Sequence, residues 1–199
     1  MVATGSSRLL DMIVEAVQWH GRVQPARTWQ TVEDDIGTKL PDDYKELFSR
    51  FPSGSFRDVI TVINPIDSRT NYDNFIEKET FEIIKMLDEY RNVYLSDVDY
   101  RLFPEKGGLL PWGGDGEGGM FFWLTDSEDP NQWRVARYGQ SMDEWREHDG
   151  PMTQVIWEVL TSADDENIFG WSLEDLPKIF RVPSTYLGDG RWLPHAEYR

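Results

Sequence analysis

The sequence predicts an α+β protein in which a central, mostly antiparallel sheet is covered by helices. Several segments repeat their apolar residues every three or four positions, which is typical of amphipathic helices. Other segments are rich in β-branched and aromatic residues and are separated by short turn-forming runs, which favours neighbouring antiparallel strands. The 199 residues, 39% of them hydrophobic, contain no internal repeat or low-complexity linker, so we expect one domain over residues 1–199.

The chain begins with two predicted helices. Residues 7–20 place Leu10, Ile13 and Val17 on one side of a helix, although Gly and Pro in the following segment end it. A second, shorter helix has Trp29, Val32 and Ile36 on its apolar side. Gly37 follows at the position where a glycine commonly ends a helix.

The segment LPDDYKELFSRF, residues 40–51, predicts a third helix. Pro41 suits its first turn, and Asp42 and Asp43 lie where the positive end of the helix dipole favours carboxylates. Tyr44, Leu47, Phe48 and Phe51 follow at helical spacing, before Pro52 and Gly54 end the helix. This pattern indicates a structural element whose apolar residues enter the core.

The middle of the chain predicts a strand, a longer helix and further strands. The β-branched run at 56–63 indicates the first strand, and residues 76–90 return to a helical period. The runs at 109–125 and 133–138 predict consecutive antiparallel strands separated by SEDPNQ. Within the first run, GGDGEGG predicts a turn whose glycines adopt positive φ.

The last third of the chain is less regular. Ser141 and Glu144 match a capping box and predict a helix start, and MTQVIWEVL, residues 152–160, predicts another helix. A short helix capped by Ser172 is expected over LEDLPKIF, residues 173–180. The remaining tail has no clear period.

The composition restricts the classes of function. The chain has 20 Lys and Arg against 36 Asp and Glu, a formal net charge of −16, so its surface repels a phosphate backbone and direct nucleic-acid binding is not expected. The charge has two interpretations, solubility and complementarity to a basic partner. The absence of cysteine fits a reducing compartment, and no apolar run is long enough to span a membrane, so we expect a cytoplasmic protein.

The sequence has no catalytic, cofactor or metal motif. His20, His148 and His195 are far apart and outside any metal-binding pattern, and GGDGEGG lacks the Lys-Ser/Thr ending of a phosphate loop. Asp115 and Glu117 do not continue into a twelve-residue calcium loop. We therefore expect no metal, no cofactor and no enzyme, although two carboxylates converging in space would leave a hydrolase open.

Two motifs in order, LPDDY with its helix and LLPWGGDGEGGMFFW, resemble the SUKH superfamily. The resemblance covers residues 29–160 and leaves 161–199 as a C-terminal extension. This superfamily includes immunity proteins of bacterial polymorphic toxin systems and a fungal regulator of cell-wall synthesis. The resemblance implies a SUKH-like α+β fold in which Leu40, Pro41, Tyr44 and the glycines of 113–119 are structural.

The same resemblance implies a non-enzymatic, protein-binding function. We expect a bacterial immunity protein that occludes the active site of a cognate toxin, with a regulatory scaffold as the alternative. The net charge favours a basic, nuclease-like toxin. The expected partner-binding residues are acidic loop residues with aromatic neighbours, although solvated turns would give the same pattern: Trp112, Asp115, Glu117, Trp123, Asp126, Glu128, Asp129 and Trp133.

Overall fold

A computed structural model describes residues 5–140, 143–188 and 190–199 and confirms the α+β class. The helices are α1 (Gly5–Ala16), α2 (Trp29–Ile36), α3 (Asp42–Arg50), α4 (Tyr72–Asn74), α5 (Ile83–Glu89), α6 (Arg91–Tyr94) and α7 (Met152–Thr161), with a π-helical stretch at Phe75–Glu82 and 3-10 turns at Pro130–Gln132 and Ala196–Tyr198. The strands are β1 (Gly54–Phe56), β2 (Ile60–Val62), β3 (Arg101–Leu102), β4 (Gly108–Gly114), β5 (Met120–Leu124), β6 (Arg134–Gly139), β7 (Glu144–His148), β8 (Phe180–Arg181), β9 (Ser184–Tyr186) and β10 (Trp192–Pro194).

The main sheet is mostly antiparallel, as predicted. Its strand order is β7-β6-β5-β4-β2-β1-β8, with every neighbouring pair in that order antiparallel. β3 pairs in parallel with the beginning of β4, and β9 and β10 form a separate hairpin. A register shift between Pro111 and Gly113 bulges β4 at Trp112.

Helices α1, α2, α3 and α7 cover one face of the sheet. Their buried side chains form one cluster with those that β5 and β6 turn toward this face. Tyr44 of α3 packs edge-to-face on Trp123 of β5, with ring centroids 4.9 Å apart. Leu47, Phe48 and Phe51 are fully buried, so the LPDDY helix contributes to the core as predicted.

The opposite face is covered by the continuous helical segment from Tyr72 to Glu89 and by α6. Leu87 of α5 and Leu95, just after α6, pack against Phe122 and Leu124 of β5. The sequence predicts an ordinary α-helix here, but residues Phe75–Glu82 are π-helical, and the Thr80 hydroxyl donates to the Phe75 carbonyl at 3.2 Å. Spacing of apolar residues by four is compatible with both helix types, so it did not separate them.

The predicted single strand at 56–63 is wrong, because a tight turn divides it into β1 and β2. Arg57 and Asp58 adopt positive φ values of 54° and 58°, which non-glycine residues rarely do. The Arg57 side chain is 1% exposed and donates to the carbonyls of Val159 at 2.6 Å, Ser162 at 2.9 Å, Leu176 at 3.2 Å, and Leu173. These four bonds fix the guanidinium and with it the unusual turn.

The predicted helix over 173–180 is also wrong, since this segment forms turns before β8. In a helix the Leu173 carbonyl would accept from the amide of residue 177, which is Pro177 and has no N–H. The Arg57 guanidinium supplies that donor instead. The side chains of Leu173 and Phe180 still belong to the core cluster that contains residues of α1 and α3. The expectation of one domain over residues 1–199 stays a prediction.

The predicted capping box at residues 141–144 does not begin a helix. Ser141 lies outside the described residues, and Glu144 begins β7, which pairs with β6 through Glu144↔Gly139. Pairing with a strand outweighs the local capping preference. The separately predicted helix over residues 152–160 is confirmed as α7, with Pro151 as its N-cap residue.

Candidate protein-binding surface

The paired aspartates of the LPDD motif have different roles. Asp43 is buried, and one of its carboxylate oxygens accepts from both the amide and the hydroxyl of Thr153, each at 3.0 Å. Because Pro151 caps α7 without a side-chain hydrogen bond, Asp43 supplies from α3 the acceptor that the first turn of α7 requires. Burial raises the pKa of the Asp43 carboxyl.

Asp42 is exposed and joins α3 to the loop between β5 and β6. Its amide donates to Asn131 Oδ1 at 2.8 Å, and Asn131 Nδ2 donates to Asp42 Oδ2 at 3.1 Å. This reciprocal pair holds the 125–133 loop against the N-terminus of α3. Two acidic segments separated by almost ninety residues therefore become one surface.

A groove of about 750 Å³ lies beside this junction, between α1, α3, α7 and the Pro130–Gln132 turn. Leu9 and Pro151 supply apolar wall, while Asp42 and Glu46 supply carboxylates. Lys45 also lines the groove, but it forms ion pairs with Glu33 at 3.2 Å and Asp42 at 3.1 Å. The groove thus combines apolar surface with an acidic border, a combination found at protein interfaces.

The 125–133 loop carries three of the acidic residues predicted to bind a partner. Asp126 pairs with Arg134 at 3.0 Å, and Asp129 accepts from the Asn131 amide at 3.0 Å, capping the 3-10 turn. Glu128 is exposed. Among residues 5–140, 143–188 and 190–199, neither Glu128 nor Asp129 forms an ion pair with a lysine or arginine. Their charges are therefore available to a partner.

The other predicted acidic loop, the turn between β4 and β5, lies at the opposite end of β5. Five strand residues separate the two loops by about 17 Å. The side chain of Asp115 is 8% exposed and forms an ion pair with Arg137 at 2.8 Å, and its Oδ1 accepts from the amides of Glu117 and Gly119. Asp115 thus stabilises the turn through these hydrogen bonds, which agrees with its interpretation as a turn. Of the two acidic residues Asp115 and Glu117, only Glu117 is exposed.

The predicted aromatic anchors lie inside the protein. Trp112, Trp123 and Trp133 are 5%, 2% and 6% exposed and belong to the core cluster. Trp133 donates from Nε1 to the Ser127 carbonyl at 2.8 Å, so it fixes the acidic loop to the core. The apolar contribution at the surface comes from the groove instead, and partner binding by the eight residues stays a prediction.

Sequence reasoning missed the groove and the Asp42–Asn131 pair. One signal was present: Asp42 and Glu46 are four residues apart, which places them on the same side of α3. The pairing with Asn131 has no sequence signal, because it depends on how β5 and β6 align over α3.

Neither a metal site nor a membrane helix is found in the part of the chain that the structure describes. No group of three or more His, Asp or Glu residues there is arranged to hold a metal ion. No helix within the same residues is both long and apolar enough to cross a bilayer.

Comparison with known families gives one match. A SUKH family model described as SMI1-KNR4 cell-wall matches residues 26–151, more than half of the chain. No curated protein and no solved structure matches the chain. The match contains α3, both acidic loops and all of β1 to β7, and it ends immediately before α7.

Proposed function

Because the chain belongs to the SUKH superfamily, we propose that it is a cytoplasmic immunity protein that binds a basic toxin domain and occludes its active site. Members of the superfamily act through protein–protein interaction and are not known as enzymes. A bacterial toxin of the nuclease type is the partner that fits best, since such an enzyme needs a basic groove for its own substrate.

One observation carries this proposal: the Asn131–Asp42 pair joins two acidic segments beside an apolar groove. Asp42 is 68% exposed and Glu128 and Asp129 are exposed, so their carboxylates can substitute for the phosphates of a nucleic acid. The adjacent groove can accept an apolar side chain of the toxin. Charge then accelerates association, and apolar burial slows dissociation.

The test first searches the neighbouring genes for a basic toxin domain, and then measures its association with the protein and growth rescue when both are expressed. The triple variant Asp42→Asn/Glu128→Gln/Asp129→Asn removes three charges with little change of shape. We expect its association rate at low ionic strength to fall about tenfold and to depend less on salt.

The matched control removes three charges elsewhere. Asp88→Asn/Asp97→Asn/Asp99→Asn neutralises exposed carboxylates around α6, and we expect almost the wild-type association rate. Equal losses in both triple variants would contradict the proposed surface and leave only a net-charge effect.

A third variant tests the junction itself. Asn131→Ala keeps every charge but removes the two hydrogen bonds that hold the loop to α3. We expect slower association than in wild type even though the net charge is unchanged. An unchanged rate would show that the junction does not position the partner contacts.

The alternative function is a regulatory scaffold, which the description of the matched model as SMI1-KNR4 cell-wall favours. A scaffold binds several proteins at separate surfaces and gives no protection against a toxin. A one-to-one complex that restores growth supports the immunity function, whereas several partners without rescue support the scaffold.

A further inference from the structure

A second cavity lies away from the acidic groove, between the π-helical stretch and the glycine-rich turn of β4 and β5. Its volume is about 360 Å³. Ile63, Ile83 and Met120 contribute apolar side chains, and the glycines between 113 and 119 leave one side of the cavity without side chains. The cavity is therefore mostly apolar, with the glycine-rich turn along one side.

Glu79 is the one charged residue among those that line this cavity. Phe75, Glu79 and Ile83 are spaced by four residues along the helical segment, and all three line the cavity. The carboxylate is thus placed between two apolar side chains on the same side of the helix. π-helical segments of this kind frequently occur at functional sites.

The Glu79 carboxylate lacks a partner within residues 5–140, 143–188 and 190–199, where it forms neither a hydrogen bond nor an ion pair. Nearby carboxylates differ: Glu82 pairs with Lys78 at 2.8 Å, and Glu89 pairs with Lys85 at 3.5 Å. Burial raises the pKa of Glu79. A partly desolvated carboxylate without a partner costs free energy that a cationic ligand would recover.

We propose that this cavity binds a lysine side chain of the protein partner, with the ammonium group at Glu79 and the aliphatic stem against Ile63, Ile83 and Met120. A single carboxylate in an apolar cavity suits a compact ammonium better than a guanidinium, whose five donors would remain largely unpaired. The inference rests on the proposed function for the source of the lysine, but the preference for a cation belongs to the cavity itself.

The cavity is tested without the partner by titrating the protein with n-pentylammonium and following its amides by NMR. We expect saturable shifts that concentrate at residues 113–120. Glu79→Gln should weaken this binding about fivefold. Glu77→Gln, on an exposed position of the same helical segment, should bind as wild type does. The pKa of Glu79, followed through its carboxyl carbon, should fall when n-pentylammonium is bound.

Three results would overturn the inference: no saturable shifts at 113–120, equal binding of uncharged 1-pentanol, or equal affinity of wild type and Glu79→Gln. Tighter binding of n-propylguanidinium would assign the cavity to arginine and refute the choice of lysine. Unfolding curves for both variants confirm that each is folded before binding is compared.

The toxin complex separates this inference from the proposed function. If the complex forms and Glu79→Gln leaves its affinity unchanged, the cavity is not a partner contact and the inference fails while the immunity function stands. If Glu79→Gln weakens the complex and Glu77→Gln does not, both are supported. If no basic toxin binds, the proposed function fails, and the n-pentylammonium titration still decides whether the cavity selects a cation.

Discussion

Replacing Arg57 by Ala should destabilise the protein and loosen the segment after α7. The guanidinium donates to four carbonyls, two of which, those of Val159 and Ser162, belong to the C-terminal end of α7. Helices leave their last carbonyls without internal partners, and a cation at that end also interacts favourably with the negative end of the helix dipole. Arg57 thus caps α7 and fastens residues 173–176 to it.

The magnitude follows from what the substitution leaves behind. The bonds to Val159 and Leu173 are buried, and each carbonyl left without a donor costs about 1–3 kcal/mol. The carbonyls of Ser162 and Leu176 are only partly buried, so water can replace the lost donor there, and the cost of burying the charge disappears. Two such carbonyls cost about 2–6 kcal/mol together, so we expect a loss of about 3–5 kcal/mol.

Two assays and two comparison variants check this value. Urea unfolding gives the free energy, and limited trypsin digestion should cut faster at exposed Lys178 in the variant. Arg57→Gly removes the same bonds but relieves the positive φ, so it should be more stable than Arg57→Ala by about 1 kcal/mol. Arg50→Ala, which breaks a surface pair with Asp11, should cost less than about 1 kcal/mol. Wild-type stability and wild-type cleavage at Lys178 in Arg57→Ala would refute the anchoring role.

Two further substitutions test the core and the cap on α7. Phe48→Ala removes a fully buried ring and should lower the free energy of unfolding in urea by about 3–5 kcal/mol. The control Phe81→Ala, at a ring that is 40% exposed, should lower it by less than about 1.5 kcal/mol. Equal losses would place Phe48 outside the core. Because burial raises the pKa of Asp43, the folded state binds the proton of this carboxyl more tightly than the unfolded chain does. The stability of wild type relative to Asp43→Asn should therefore increase as the pH falls from about 7 to about 4. A difference that is independent of pH, or that changes in the opposite sense, would contradict the burial of this carboxyl.

Sequence patterns were sufficient where local chemistry and burial agree. The helix at Trp29–Ile36 ends at Gly37, whose φ is 91°, and the LPDDY helix buries the predicted residues. The glycine-rich turn also has the predicted positive φ at Gly116 and Gly118. At Gly37, Gly116 and Gly118 glycine is the residue type that adopts positive φ at little cost, and in the LPDDY helix the apolar spacing fixes the buried side.

The errors arose where a distant residue decided the local structure. Nothing in RDV indicates a turn, because Arg57 adopts its left-handed conformation through carbonyls more than one hundred residues away. The strand at Glu144–His148 likewise depends on pairing with β6. For the binding surface, acidic residues were recognisable but their positions were not, since Asp115 is buried with Arg137 while Asp42 joins the other loop.

The contact between Asp43 and Thr153 determines which segments must stay together when chimeras are built from members of this family. Similarity to the family ends at residue 151, yet the carboxylate that α3 buries has its donors at residue 153. A fragment cut at the limit of similarity would retain an acid in an apolar core without those donors, and it would uncover Phe48 and its neighbours. The family match thus covers residues 26–151, whereas we expect independent folding of this segment to require α7 as well. Chimeras that transplant the acidic face should carry α3 and α7 together.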